Sequence, residues 1–582
     1  MHYRKWVKVG GVAVLAGGSA CATADDLPRG GEAASPPQVA SSVNGVVVAA
    51  HPLAAEAGAR MLRAGGTAAD AAVAAAFVVS VVEPSMNSIG GRTQILVRSP
   101  DGTLAGIDAT TQAPATYDPD AAPQASYGYP TVGVPGAVAG LTKLLREHGS
   151  MELADVMAPA IALAEEGFQL LPGEARRHGA GADQLAEFEG SRAHFLDPDG
   201  NPRAAGETFA QPELAATLQA IADSGPDAFY RGPIAERMAA DMEAHGGALT
   251  LQSLADYQAL DAAIVRGSYR GYDLVGTDVP AAGAVTIGIL HILENFDMAS
   301  LDRDSWAGLV GTAIARAFEE RVAIRETGTG NLAPLTDKAW AAEVAAGIDV
   351  PGAVRRAAGG MPPEGQLGAA AEEASPQALA VAAAADWDDH AWGPANSHTT
   401  HLSTADGDGM YVSLTQTIGP NLGSKVATPG LGFLYAATLG GYLGHMEPGE
   451  RARSSISPLM VLQDGDPVLV LGAAGGGRII SAVVQAVLRV VDQGMSLPQA
   501  LAAARVHPIE GGIAMETSPG IGWTPEVVAE VESWGMEVQT VEQEGEFGRI
   551  HGIWVDRRTG EVVGVADPDW EGAAIVPGGT EG

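Results

Sequence analysis

Residues 68–82 read AADAAVAAAFVVSVV, a stretch longer than an ordinary buried strand and apolar at almost every position. A run of that length and composition reads as a helix. A helix that is apolar all round has no face to offer to water, so this one is expected to be buried on both sides. It falls short of the roughly 20 residues that cross a bilayer, and it carries Asp70. Thr67 and Asp70 have the spacing of a capping box, which opens the helix at Thr67. Before it, VNGVVVAAHP reads as a buried strand ending near Pro52, and residues 53–63 read as a helix stopped by Gly65 and Gly66.

The rest of the chain mixes both kinds of element. TQILVRS and LAGIDA have strand character, and in QPELAATLQAIADSG the residues Leu214, Leu218 and Ile221 line one face of a helix. Between about Pro351 and Ser397 the sequence turns to Ala, Gly, Pro and Glu and loses aliphatic periodicity, as a mobile linker does. Beyond it HTTHLST, GMYVSLTQTI and DPVLVLGAA read as strands and RIISAVVQAVLRVVDQG as a helix. IHGIWVDRRTG and EVVGVAD read as a hairpin turning near Thr559 and Gly560. No period of 20 to 50 residues recurs, which excludes solenoids and propellers.

Charge and cysteine content narrow the function. With 34 Lys plus Arg against 70 Asp plus Glu, the net charge of -36 repels phosphate backbones, so no nucleic acid is expected as a partner. A single cysteine excludes an intrachain disulfide and thiolate-pair zinc sites. That cysteine, Cys21, follows Arg4, Lys5 and Lys8, an apolar stretch from Val9 to Ala16 and a set of small residues, the layout of a secretory signal. LAGGSACA resembles a lipobox in which Cys21 is acylated, giving an exported protein anchored to the bacterial envelope. Ordinary cleavage after ACA or ATA would instead leave a free periplasmic protein. The expected organisation is a signal segment (1–20), a spacer (21–42), a large portion (43–350), a linker (351–398) and a small portion (399–582).

Chemistry concentrates at NSHTTHLS, where the linker meets the first strand of the small portion. Cutting the peptide bond between His398 and Thr399 would give Thr399 both a hydroxyl and a free α-amine, and the amine can serve as base for its own hydroxyl. His398 and His401 face opposite sides of an extended segment, so they make no metal pair. The acidic cluster DWDDH (386–390) reads as a solvated charge run. GAAGGG lacks the Lys that a phosphate loop requires.

Motifs in register point to a family. GGTAADAAVA (65–74), IGG (89–91), VGVPGAVAG (132–140), QPELAATL (211–218) and AFYRG (228–232) are followed by TTHLS (399–403), RARSSISP (451–458), GAAGGGRII (472–480), ARVHP (504–508) and VADP (565–568). In this the chain resembles the γ-glutamyltranspeptidases, which are N-terminal-nucleophile hydrolases. The resemblance implies an α+β fold, a four-layer αββα sandwich formed jointly by two fragments of a self-cutting precursor, with the cut between His398 and Thr399. It implies Thr399 as nucleophile, Thr417 as the hydroxyl that orients it, Gly475 and Gly476 as the oxyanion hole, and Ser454 and Ser455 as binders of the substrate carboxylate. The implied substrate is a small-molecule amide with water or an amine as acceptor. Neither a cofactor nor a metal is implied, since the amine supplies the base.

The departures from the family lie in its acyl pocket. Thr110 stands where the family places an arginine for the α-carboxylate, Gly419 where it has an asparagine, and Thr438 and Gly441 where it binds the α-amine. Recognition built on such groups loses its strength when they are removed. Three cations, Arg92, Lys425 and Arg453, lie close to these positions in sequence, and Arg453 is the first expected to anchor a carboxylate of a different acyl group. The readings carried forward are a γ-glutamyl amidohydrolase or acyltransferase, an acylase for a non-glutamyl group such as glutaryl, and an inactive envelope binding protein.

Overall fold

The helix that sequence demanded is Ala68–Val82, and all of its residues are buried. Its capping box is formed: the Thr67 backbone N–H donates to Asp70 Oδ2 at 2.7 Å and the Asp70 N–H to Thr67 Oγ1 at 3.3 Å. Asp70 also accepts from the N–H groups of Ser150 (2.9 Å) and Met151 (3.1 Å), which follow the Ala137–His148 helix. One buried carboxylate thus satisfies donors of two helices, and these donors compensate the cost of burying it.

The computed structural model describes residues 38–121, 125–326, 331–356, 399–443, 445–518, 522–542 and 545–578. The expected signal segment with Cys21, most of the expected linker with DWDDH, and His398 lie outside the described residues. Pro351–Arg356, expected to begin the linker, instead continue the folded chain. The Asp297 N–H donates to Val354 O and the Arg356 N–H to Asn295 O, both at 2.9 Å, because residues 295–297 present an open backbone edge there.

Among the described residues two antiparallel sheets dominate. The front sheet runs in the order Ala573–Ile575, Gly45–Ala49, Thr400–Asp406, Tyr411–Thr417, Arg92–Arg98, Leu104–Ala109, Leu260–Asp261. The back sheet runs Val39–Ser42, Glu561–Ala566, Arg549–Asp556, Asp466–Leu471, Leu459–Gln463, Tyr272–Thr277, Ile264–Tyr269, with Ala473–Ala474 also paired to Arg549–Asp556. Val46, Val48, Leu96, Ala405 and Tyr411 of the front sheet meet Val275, Met460, Val470 and Ile553 of the back sheet in a shared apolar layer. Each fully buried aliphatic side chain there contributes about 1.5–3 kcal/mol.

Helices cover both outer faces. Ala68–Val82 lies on the front sheet, where Thr404 Oγ1 donates to Ala68 O at 2.7 Å and the Ala68 N–H donates to Asp406 Oδ2 at 2.8 Å. Gly283–Leu293 and Arg478–Val491 close the back sheet with a large aliphatic core that includes Ile287, Leu290, Ile480 and Val484. The result is the expected four-layer αββα sandwich. Both sheets interleave strands from before residue 357 with strands from after residue 398. Neither side of that segment could complete a sheet alone.

Replacing Asp70 by Ala should lower stability by about 2 kcal/mol, because it leaves the partly buried N–H groups of Thr67, Ser150 and Met151 without their acceptor. Thermal or urea unfolding measures this, and a loss under about 1 kcal/mol would show that the cap carries little weight.

Candidate active site

Three neighbouring strands of the front sheet bring the site together. Thr400 pairs with Gln416, so Thr399 falls opposite Thr417, and Thr417 in turn pairs with Arg92. Side chains alternate along a strand. Thr399, Thr417 and Arg92 share the parity of Ala405, Tyr411 and Leu96 and therefore face the space between the sheets. They form one row at its end.

Within that row the Thr399 hydroxyl donates to Thr417 Oγ1 at 3.0 Å, and the Gly419 N–H donates to the same oxygen at 3.0 Å. Thr417 is thereby held in place and fixes the rotamer of Thr399. Thr399 has φ 96°, a left-handed value that a β-branched residue adopts only under strain.

The glycines fall where a backbone cradle is needed. Gly475 (φ 130°) and Gly476 (φ 58°) turn the chain from Ala473–Ala474 into the Arg478–Val491 helix, and an added Cβ on Gly475 would stand 2.9 Å from Gly548 Cα. Both positions require glycine for conformational reasons. Among the described residues neither of their N–H groups is spent on another backbone carbonyl. A helix N-terminus behind two free N–H groups favours developing negative charge. Ala473–Ala474 pairs with Arg549 and Ile550, and Arg549 donates from Nη2 to Thr399 O at 3.4 Å, which ties the glycine turn to the threonine.

Arg549 belongs to a buried charge cluster that the sequence did not disclose. Its guanidinium lies 3.8 Å from the ring centre of Trp570, with Arg177 at 4.3 Å from the same ring. Trp570 Nε1 donates to Glu83 at 3.0 Å. Burial, reinforced by Arg177, lowers the Arg549 pKa to about 10, and burial raises that of Glu83. The motifs ARVHP and VADP meet beside it, where Arg505 Nη2 and Asp567 Oδ2 pair at 2.7 Å, both fully buried. Asp567 also accepts from the Ile550 N–H at 2.8 Å, next to Arg549. The only sequence signal for this cluster was the pair of motifs itself; nothing linked Trp570 or Glu83 to it.

His401 is buried between the sheets, with Nδ1 at 2.8 Å from Thr415 Oγ1 and Nε2 at 3.1 Å from Ser403 Oγ. Burial depresses its pKa well below the ordinary value, so it is a neutral spacer beneath the threonines. Among the described residues no group of three or more His, Cys, Asp or Glu is arranged to hold a metal.

Ser454 and Ser455 are buried in the segment that leads into Leu459–Gln463, and the neighbouring Ala452 N–H donates to Thr111 O at 2.8 Å. The serines therefore approach the end of Leu104–Ala109, on the far side of Arg92 from Thr399. Thr110 donates through Oγ1 to Asp108 at 2.8 Å, and Thr438 through Oγ1 to Thr111 at 2.9 Å. Gly419 has φ 89°, and a Cβ there would stand 2.8 Å from Tyr442, so no side chain fits. The N–H of Gly441 is used on Ala125 O.

The three candidate cations differ sharply. Arg453 pairs with Glu450 at 3.2 Å. Lys425 turns its ammonium to the carbonyls of Asn421 and Gly423, and burial lowers its pKa to about 7. Arg92 is 1 % exposed, and its Nε and Nη1 have no partner.

Two face-packed antiparallel sheets between helical layers, with a threonine opening a central strand, define an N-terminal-nucleophile hydrolase. Residues 54–576 match the family described as Gamma-glutamyltranspeptidase, and the chain belongs to that family. It is 31% identical to the glutathione hydrolase proenzyme of Escherichia coli over 561 residues, covering 90% of each chain. It is 34% identical to the acylase ACY 1 proenzyme of Pseudomonas sp. strain SE83 over 531 residues, covering 87% of this chain and 88% of the relative. Among solved structures, the cephalosporin acylase of Bacillus halodurans superposes with a TM-score of 0.80 at 27% identity, over 95% of this chain and 99% of that one.

Gly475→Ala should lower kcat by about 10²- to 10³-fold, since the added methyl displaces one oxyanion donor. Steady-state rates on an anilide substrate check this, and an unchanged kcat would remove the glycine turn from the site.

Proposed function

We propose that the chain is a self-cutting precursor of an amidohydrolase or acyltransferase that works through an ester on Thr399. The observation that carries this reading is the strained Thr399, whose hydroxyl is bonded to Thr417. In maturation Thr399 Oγ attacks the carbonyl of residue 398, the scissile C–N bond gives way to an ester, and water hydrolyses that ester. The new α-amine then takes the Oγ proton as Oγ attacks a substrate amide. The N–H groups of Gly475 and Gly476 receive the oxyanion, and the protonated amine delivers its proton to the leaving amine. Water or a second amine releases the acyl group.

Among relatives, the glutathione hydrolase and acylase proenzymes set the range of substrates, from γ-glutamyl compounds to other side-chain amides. The positions expected to hold a glutamyl α-amine are Thr438 and Gly441, and Gly419 stands where the family has an asparagine. This favours an acylase with a non-glutamyl acyl group. Ser454 and Ser455 remain the proposed hydroxyl binders of its carboxylate. Export follows from the leader-like sequence before Cys21. Among the described residues no helix is long and apolar enough to cross a membrane.

A denaturing gel tests the reading. Purified protein should run as two fragments meeting at residue 399, while Thr399→Ala remains a single chain. A wild-type chain that stays uncut and inactive would favour a binding protein instead.

A further inference from the structure

Arg92 poses a physical problem that the described residues do not solve. Its guanidinium is almost completely buried, yet among the described residues two of its nitrogens, Nε and Nη1, have no hydrogen-bond partner and no carboxylate pairs with it. An unpaired buried charge is among the costliest features a fold can carry. Asp108, on the neighbouring strand opposite Gln94, is the carboxylate that register brings near Arg92. It is already engaged by Gln94 Nε2 (2.8 Å), the Thr110 N–H (3.0 Å), Thr110 Oγ1 (2.8 Å) and Arg451 (3.3 Å). Among the described residues no carboxylate pairs with Arg92.

Its position says what the missing anion belongs to. Arg92 is the direct cross-strand partner of Thr417, on the same face, and Thr417 holds the hydroxyl of Thr399. Two strand spacings, about 10 Å between main chains, separate Arg92 from Thr399 on the same face of the sheet. An acyl group bound to Thr399 Oγ and extending along the row would bring its far end to the guanidinium. The fork geometry of arginine suits a carboxylate there.

Resting on the Thr399 ester reading, we infer that Arg92 is the specificity-determining anchor for an acyl group that ends in a carboxylate and lacks an α-amine. An α-amine would need an acceptor anion, and Gly419, Thr438 and Gly441 supply none, while Asp108 is already paired with Arg451. Arg453, the cation first expected in this role, is held by Glu450 and Lys425 by backbone carbonyls, so the role passes to Arg92. In hydrolysis the amide C–N bond breaks, one water is consumed, and the free dicarboxylic acid and the amine leave.

The test compares wild type, Arg92→Met and Arg92→Lys on glutaryl, valeryl and γ-glutamyl p-nitroanilides. Wild type should prefer glutaryl over valeryl by about 100-fold in kcat/KM, and Arg92→Met should erase most of that ratio, chiefly through KM. Arg92→Lys should recover part of it. Melting curves give a readout independent of turnover: millimolar glutarate should raise the melting temperature of wild type and not of Arg92→Met, whereas valerate should shift neither. Without ligand, Arg92→Met should melt no lower than wild type, since it removes an unpaired buried charge. Equal losses on glutaryl and valeryl anilides, or equal stabilisation of both proteins by glutarate, would overturn the assignment. A wild type that is never cut at residue 399 and hydrolyses none of the anilides would refute the ester reading instead. The glutarate shift would still decide the role of Arg92, and if Arg92→Met does not fold, Arg92→Lys carries both comparisons.

Discussion

Strand register at one end of the front sheet is the constraint on which the site depends. Thr399, Thr417 and Arg92 come from three segments, and only the pairing Thr400 with Gln416 and Thr417 with Arg92 sets them in one row. Because side chains alternate with period two, a slip of one residue would turn all of them toward the helices. The alternation is pinned lower down by the apolar layer, where Ala405, Tyr411 and Leu96 pack against the back sheet. The core therefore aims the chemistry. The same interleaving explains how a chain cut near its linker can stay whole, since strands from both sides of the break share each sheet.

Charge is handled in two opposite ways inside this sandwich. Arg505 and Asp567 form a fully buried pair with additional backbone partners, and Asp70 is surrounded by donors. Such groups are paired, and removing one partner would be far more damaging than their net contribution suggests. Arg92 is left open within the threonine row. Arg549 likewise keeps Nε and Nη1 without partners while its Nη2 reaches Thr399 O, so the two buried arginines nearest the threonine row are both incompletely bonded.

Much of the architecture was legible because it is written in local periodicity. The Ala68–Val82 helix with its Thr67 cap, the Arg549–Asp556 and Glu561–Ala566 hairpin, and the Pro212–Ser224 helix all follow from spacing and turn residues. Thr399 and Thr417 were singled out by the family resemblance, and the structure sets them side by side just before one strand and at the end of the next. The linker start was not, because its ordering comes from backbone bonds to Asn295 and Asp297 that leave no trace in composition. Nor was the ranking of the cations. Arg453 lies beside the serine pair in sequence but is paired to Glu450, whereas Arg92 reaches the threonines only through the sheet.

By itself the sequence determined the fold class and the family, because these reside in element periodicity and in short motifs whose chemistry is local. It determined as well that the acyl pocket departs from the family at Thr110, Gly419, Thr438 and Gly441. Only the tertiary structure decided which distant residues stand beside the threonines. Arg549 lies 150 residues from Thr399 and still reaches its carbonyl. Arg92 becomes a neighbour of Thr417 by cross-strand pairing, and its lack of a partner is a property of the packed interior. Proximity between distant residues and the satisfaction of buried charge are set by the closed fold, and no local pattern encodes them.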